Sequence, residues 1–350
     1  MAGKEYTWKQ RPGTYPWLAQ QKKDPILGRP ISVRENYIRV ATGQKPVWMP
    51  AYGFESNTCW PDVIEEHPVP EEDGKDWWGV EWIMQEDIGG MMVKPFTRTL
   101  SEFSKWKEEL KWPDLDSVDF ASDGEKISSR FDPDRPHIYQ CVEGIFERLH
   151  ELIPFDETLE AMVEEPELVA EFFDRMADYK IKLCSKVFEN YGRIDGVLYH
   201  DDWGYQRCGF FSNQMFEELL VPPTKKVMQF LKSQGKFIEL HSCGKNIQYV
   251  PYMIDMGIDM WNPQRDINDP PMLKEKYGDQ MTFVFPIKGL DAPHMEETDI
   301  RRLVREFVDF YGKGGRMMAS IMVPKDMQDR AVIARDELYN YSLEYYKNHD

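Results

Sequence analysis

The stretch Phe237-Ile238-Glu239-Leu240-His241-Ser242-Cys243 joins a short β-prone run to two soft metal ligands. Alternate residues of an extended chain point the same way, so His241 and Cys243 can reach one target from the end of a strand. A neutral imidazole and a thiolate suit zinc, and a catalytic zinc usually has three protein ligands and one open position. The stretch therefore predicts a strand that ends at a candidate zinc site, whose third ligand is not identified.

Similar β-prone runs recur along the chain, with helical stretches between them. They cover residues 47–49, 138–141, 196–199, 237–240, 258–261, 282–285 and 317–320, and one more is expected between residues 79 and 93. Alternation of strands and helices predicts parallel strands joined by right-handed crossovers, and about eight such units indicate a closed (β/α)8 barrel of the TIM type. An open doubly wound sheet is the alternative, although no Gly-rich phosphate fingerprint follows an early strand.

The helices are marked more clearly than the strands. Apolar residues recur at helical spacing between 169 and 187, behind Pro166. A second helix is expected over residues 212–233, with Ser212 as its N-cap and a kink or restart at Pro222-Pro223. Further helices are expected over residues 32–40, 247–256 and 299–311. We assign residues 1–45 to an N-terminal extension packed on the barrel and residues 46–350 to a single barrel domain.

The charge balance argues against several kinds of partner. The 350 residues include 43 basic and 61 acidic ones, and the net charge of −18 repels both nucleic acid and anionic membrane surfaces. The apolar runs are too short and too often charged to span a bilayer, and the N-terminus lacks a signal-peptide core. Five widely spaced cysteines do not suggest a disulfide framework. We therefore expect a cytoplasmic protein with no nucleic-acid or membrane partner.

Catalytic groups of such barrels gather at the C-terminal ends of the strands, so the residues just past each run are the candidates. Glu143 is a candidate base, ligand or orienting group, with an ion pair to Arg148 as the structural alternative. One of Asp201 and Asp202 should face the pocket, although Asp also favours turns. The candidates for substrate binding are Tyr52, Phe54, Asn262 and Arg265.

Several of these segments, in this order, resemble the uroporphyrinogen decarboxylase superfamily, which includes porphyrinogen decarboxylases and zinc-dependent methyltransferases that act on corrinoids. The resemblance covers residues 30–345, and the matching segments are 46–49, 142–148, 200–206, 237–244 and 259–263. It implies a (β/α)8 barrel that is often homodimeric, and it selects Asp202 from the aspartate pair.

Two departures from the family pattern separate its branches. The decarboxylases follow the first strand with arginines that hold the carboxylates of a porphyrinogen, but residues 49–56 here read Met-Pro-Ala-Tyr-Gly-Phe-Glu-Ser. Without guanidinium groups, an octa-anionic tetrapyrrole would face an acidic protein. The methyltransferases carry the pair seen at His241 and Cys243 together with a later cysteine, and no cysteine follows Cys243 in this sequence.

The resemblance thus implies a methyltransferase that moves a methyl group between a corrinoid (methylcobamide) carrier and a small acceptor such as a thiol or tetrahydrofolate. His241 and Cys243 would hold zinc, while Glu143 and Asp202 would act as acid and base or supply the third ligand. A partner corrinoid protein would dock at the barrel mouth of a homodimer. The alternatives are a metal-independent decarboxylase or lyase acting on a smaller acid, and a non-catalytic barrel that binds the corrinoid partner.

Overall fold

The computed structural model describes residues 28–66, 74–85, 90–264 and 267–349. The strands are β1 Ala51–Tyr52, β2 Asn57–Cys59, β3 Gly74–Lys75, β4 Glu81–Gln85, β5 Gly90–Val93, β6 His137–Cys141, β7 Gly196–His200, β8 Phe237–Ser242, β9 Met260–Pro263, β10 Thr282–Pro286 and β11 Met317–Ser320. The α-helices are α1 Val33–Ala41, α2 Trp106–Glu109, α3 Phe120–Ser128, α4 Ile145–Leu152, α5 Phe155–Glu164, α6 Pro166–Asn190, α7 Asn213–Met215, α8 Val221–Ser233, α9 Val250–Asp255, α10 Pro270–Tyr277, α11 Glu297–Tyr311 and α12 Gln328–Asn348.

Eight parallel strands form one sheet, in the order β1-β11-β10-β9-β8-β7-β6-β2. Strands β6 to β11 lie side by side in chain order with helices between them, and the two end strands, β1 and β2, are consecutive in the chain. This is the arrangement of a (β/α)8 barrel, so the predicted fold class is confirmed.

The inside of the barrel is apolar at its N-terminal end. Six strands each contribute a residue to one buried cluster: Ile138, Leu198, Phe237, Met260, Val284 and Met318. Tyr37 and Val40 of α1 join this cluster, and Thr282 Oγ1 donates a hydrogen bond of 2.7 Å to the carbonyl of Val40. Helix α1 therefore covers this end, and the opposite end, where the strands finish, carries the polar residues.

The first strand lies later in the chain than predicted. Residues 47–49 are not in a strand because side chains from elsewhere hold their backbone groups. Asn36 Nδ2 donates to the carbonyl of Trp48 over 2.9 Å, and Ser342 Oγ accepts from the N–H of Met49 over 2.9 Å. The strand is β1, which pairs with β11, so the prediction of a strand at 47–49 was wrong.

The prediction of a barrel strand between residues 79 and 93 was also wrong, since β2 takes that place in the barrel. Strands β3, β4 and β5 form a separate antiparallel sheet, because β4 pairs with both of its sequence neighbours. The residues of β2 are Asn-Thr-Cys, too few and too polar to show an apolar run. A buried ion pair of 2.8 Å between Arg148 and Asp76 links the small sheet to α4.

The helix predictions are confirmed. Helix α6 covers the apolar stripe behind Pro166. Ser212 caps α7 by accepting from the N–H of Met215, and a π-helical turn at Phe216–Leu220 precedes the restart at α8, where the two prolines stand. The helices predicted over 32–40, 247–256 and 299–311 are α1, the 3-10 turn Ile247–Tyr249 with α9, and α11.

The division at residues 45 and 46 stays a prediction, and residues 1–27 of the predicted extension lie outside the described residues. Among the helices that the structure describes, none combines the length and the apolar character that a bilayer crossing requires.

Replacement of Asn36 by alanine tests how α1 is held to the chain before β1. Asn36 is fully buried, and its loss leaves the backbone groups of Val47 and Trp48 without partners, at a cost of about 1–3 kcal/mol for each buried group. We expect urea denaturation to show a loss of about 2–4 kcal/mol in the free energy of unfolding. Arg39→Ala, which removes an exposed ion pair with Glu35 on the same helix, should cost below about 0.5 kcal/mol. Equal losses in the two variants would contradict this role.

Candidate functional site

Three neighbouring strands place polar side chains side by side at the C-terminal end of the barrel. In the parallel register, His200 of β7 is the partner of His241 of β8, and His241 is the partner of Asn262 of β9. The imidazole rings of His200 and His241 are stacked, with centroids 4.7 Å apart and an interplanar angle of 28°. The strand pairing thus brings together two histidines that are 41 residues apart in the chain.

His200, Asp202 and His241 form a group with the geometry of a metal site. Each offers one ligand atom, and these atoms all lie within 4.8 Å of one another. Cys243 adjoins the group, because its Sγ lies 3.4 Å from His241 Nε2 and its backbone N–H donates to Asp202 Oδ1 over 2.5 Å. Two imidazoles, a carboxylate and a thiol suit zinc and other divalent transition metals, so the residues present fit the metal that the resemblance implies.

Glu147 supports His200 from the side away from this group. His200 Nδ1 lies 2.9 Å from Glu147 Oε2, and the same oxygen accepts a hydrogen bond of 3.1 Å from the N–H of Gly144. A carboxylate that holds one ring nitrogen fixes the orientation of the imidazole and leaves the other nitrogen free to bind a metal. Glu147 is therefore a positioning residue for His200.

The two adjacent aspartates have different surroundings. Asp201 is fully buried, and its Oδ1 accepts from the N–H of Glu147 over 3.0 Å and from that of Phe146 over 3.2 Å, in the first turn of α4. A Cβ on Gly144 would overlap the side chain of Asp201, so only glycine allows this close approach. Asp201 thus holds the start of α4, while Asp202 faces His241 and Cys243.

Burial and neighbouring charges set the protonation of these groups. Burial, with a further contribution from the charge of Asp202, raises the pKa of Glu147. Burial opposes the charging of His200, but the adjacent Glu147 outweighs it and raises the pKa of His200. Burial and the charge on His200 lower the pKa of His241 to about 4, which keeps that ring neutral. Burial and Asp202 raise the pKa of the Cys243 thiol well above its usual range.

Glu143 lies beside the group but is not among its ligands. It follows β6, it is buried, and its backbone has a φ of 53°, a left-handed conformation that is uncommon for a residue with a side chain. It hydrogen-bonds Glu151, and its charge acts on Glu147 and on His200. The structure therefore brings Glu143 into the electrostatic surroundings of the histidines.

The predicted substrate-binding residues that the structure describes fall into two places. The Tyr52 hydroxyl donates a hydrogen bond of 2.5 Å to Glu239 Oε1, and the side chain of Asn262 also hydrogen-bonds Glu239, so these residues lie together inside the barrel. The ring of Phe54 lies under the guanidinium group of Arg335, with 4.5 Å between the guanidinium carbon and the ring centre. Arg265 lies outside the described residues.

The sequence includes His200 among the residues just past a strand run but gives it no role, and it does not single out Glu147 or Glu239. Glu239 is fully buried two residues before His241, and its charge within an apolar run was the available signal. Glu147 stands one helical turn after Glu143, and His200 ends the apolar run of β7. Their roles depend on contacts between β7, β8 and α4, which no local pattern reveals.

Comparisons with known proteins agree with this fold. A model of the uroporphyrinogen decarboxylase (URO-D) family matches residues 78–316, which is more than half of the chain. A solved structure of a methyltransferase from Methanosarcina mazei has a TM-score of 0.64 and 15% sequence identity, over 88% of this chain and 99% of that chain. A dihydropteroate synthase from Xanthomonas albilineans with 4-aminobenzoic acid has a TM-score of 0.32 and 12% identity, over 56% of this chain and 66% of that chain. No curated protein sequence matches the chain.

Replacement of Glu239 by glutamine tests the buried carboxyl below the histidines. Burial raises the pKa of Glu239 to about 7, although the hydrogen bonds from Tyr52 and Asn262 oppose this shift. The folded protein therefore binds this proton more tightly than the unfolded chain, and the resulting stability, complete below the unfolded pKa, is lost as the pH rises through 7. From pH 5 to pH 8, the free energy of unfolding of the wild type should fall by about 2–3 kcal/mol relative to Glu239→Gln in urea titrations.

The exposed residue Glu125 of α3 supplies the matched control. For Glu125→Gln, the difference from the wild type should be the same at both pH values. A pH-independent difference for Glu239→Gln as well would contradict the raised pKa.

Proposed function

The chain belongs to the uroporphyrinogen decarboxylase family, and we propose that within this family it is a methyltransferase. It moves a methyl group between a corrinoid carried by a partner protein and a small acceptor such as a thiol or tetrahydrofolate. The observation that carries this proposal is the approach of His241 Nε2 and Cys243 Sγ to 3.4 Å at the barrel mouth, beside Asp202. An imidazole and a thiol in contact at a strand end suit two positions of a zinc site.

The charge of the mouth also favours methyl transfer over decarboxylation of a tetrapyrrole. The charges of Glu143 and Asp202 both act on the buried carboxyl of Glu147, near the stacked histidines. Residues 49–56 contain no arginine to hold the acidic side chains of a porphyrinogen. A polyanion therefore finds no guanidinium partner in this segment and meets the charges of these carboxyl groups, whereas an uncharged thiol needs no such partner.

Methyl transfer from cobalt requires a deprotonated nucleophile in a fixed position. The thiol proton of the acceptor leaves, its sulfur forms a bond to the methyl carbon, and the cobalt–carbon bond breaks with both electrons remaining on cobalt. Zinc bound at His241 and Cys243 would lower the pKa of the acceptor thiol. The neutral ring of His241 is free to bind a metal, Glu143 would take up the thiol proton, and Asp202 fixes the backbone of Cys243.

The protein should demethylate free methylcobalamin once it is loaded with zinc and supplied with a suitable acceptor, a simple thiol or tetrahydrofolate. The loss of methylcobalamin absorbance measures the rate. His241→Ala and Cys243→Ala each remove a ligand and should lower the rate by about a hundredfold or more, the range seen when groups that stabilise a reaction are removed. Cys208→Ala is the matched control, because Cys208 is exposed, and it should keep the wild-type rate.

Two results would contradict the proposal. One is a wild-type protein that is inert toward every acceptor, and the other is an equal rate in wild type, His241→Ala and Cys243→Ala. Release of carbon dioxide from a small acid by the metal-free protein would instead support a decarboxylase.

A further inference from the structure

We infer that this chain replaces the missing later cysteine with ligands from the neighbouring strand, so that His200, Asp202 and His241 hold a divalent transition metal such as Zn²⁺ beside Cys243. The catalytic meaning of this ligand set rests on the proposed methyltransferase function, although metal binding itself can be measured separately.

The strand next to β8 can supply a further ligand, whereas β11 cannot. No cysteine follows Cys243, and β11 ends in Met317-Met318-Ala319-Ser320, which contains no side chain that zinc usually prefers. Within the sheet, β7 is the neighbour of β8 and is hydrogen-bonded to it along its length, with His200 opposite His241. The residues that follow β7 therefore lie next to His241 and Cys243, and Asp202 is one of them.

Four ligands around a tetrahedral zinc, at bond lengths of about 2.1 Å, lie ~3.4 Å from one another. His241 Nε2 and Cys243 Sγ are already 3.4 Å apart, and the ligand atoms of His200, Asp202 and His241 lie within 4.8 Å of one another. The latter three ligand atoms would approach one another by at most about 1.4 Å to reach this spacing.

The side chains of metal ligands are usually held in their orientation by hydrogen bonds from outside the site. His200 is held through Nδ1 by Glu147, and the backbone of Asn262 hydrogen-bonds the ring of His241. Asp202 is held by the N–H of Cys243. Each proposed ligand thus has a fixing contact, and one ligand atom of each lies within 4.8 Å of those of the other two.

Several carboxyl groups stand near the candidate ligands, and the charges of Glu143 and Asp202 both act on that of Glu147. The buried cation nearby, Arg148, is shared with Asp76 and Glu151, at 2.8 Å and 2.9 Å. A divalent cation between His200, Asp202 and His241 would offset this concentration of negative charge.

Zinc binding to the full-length protein tests the ligand set without any corrinoid. The protein is stripped with a chelator, and the Zn²⁺ affinity is measured by competition with a chromophoric chelator, together with the bound metal per chain. The wild type should bind one ion. Glu147→Gln should weaken binding by about 10–100-fold, as expected for a residue that orients a ligand, and Asp202→Asn and His200→Gln should weaken it further. Cys208→Ser, the exposed-thiol control, should bind as the wild type does.

Cobalt provides a second readout on the same proteins. The Co²⁺-loaded wild type should show a thiolate-to-cobalt absorption band that Cys243→Ser lacks, while Asp202→Asn should change the ligand-field bands. Asp202→Asn preserves the size of the side chain, so it carries the test even if His200→Gln fails to fold.

A wild type that binds no metal, or wild-type affinity in both Asp202→Asn and His200→Gln, would overturn the inference. One bound ion, weakened by these variants, in a protein that transfers no methyl group would support the ligand set and contradict the proposed function.

Discussion

The parallel pairing of β7 with β8 is the constraint on which the site depends. Its register sets His200 against His241, and alternation along β8 turns Glu239, His241 and Cys243 toward the same side. A shift of one residue would turn His200 or His241 to the outer face of the barrel, where the helices pack. The apolar cluster at the other end of the same strands, with Leu198 and Phe237, fixes this register by burial.

The chain just past β7 connects this pairing to α4. Adjacent residues of an extended chain point in different directions, so Asp201 reaches the first turn of α4 while Asp202 reaches Cys243. The hydrogen bond from the N–H of Glu147 to Asp201 then positions the carboxyl group that holds His200. One pair of aspartates therefore ties together β7, β8 and the helix that supports them, and the site is held by backbone hydrogen bonds as well as by its own side chains.

The sequence predicted those parts of the fold that local patterns encode. The apolar stripe of α6 and the strand runs of β6 to β11 are visible because burial repeats at a fixed spacing. The start of the barrel was mistaken because Asn36 and Ser342, distant in the chain, bind the backbone at residues 47–49, and because β2 is short and polar. In the site, the sequence reveals His241 and Cys243 as a pair because they stand two residues apart at the end of one strand. His200 and Glu147 belong to other elements, and only the folded chain brings them there.

X-ray absorption at the zinc edge of the loaded wild-type protein tests the central claim, a metal centre built from two adjacent strands, most directly. Our account predicts a shell of nitrogen and oxygen atoms from His200, Asp202 and His241 at about 2.0–2.2 Å, with one sulfur at about 2.3 Å, from Cys243. Asp202→Asn should alter the light-atom shell and leave the sulfur in place. A shell dominated by sulfur, or a spectrum that shows no histidine scattering, would contradict it.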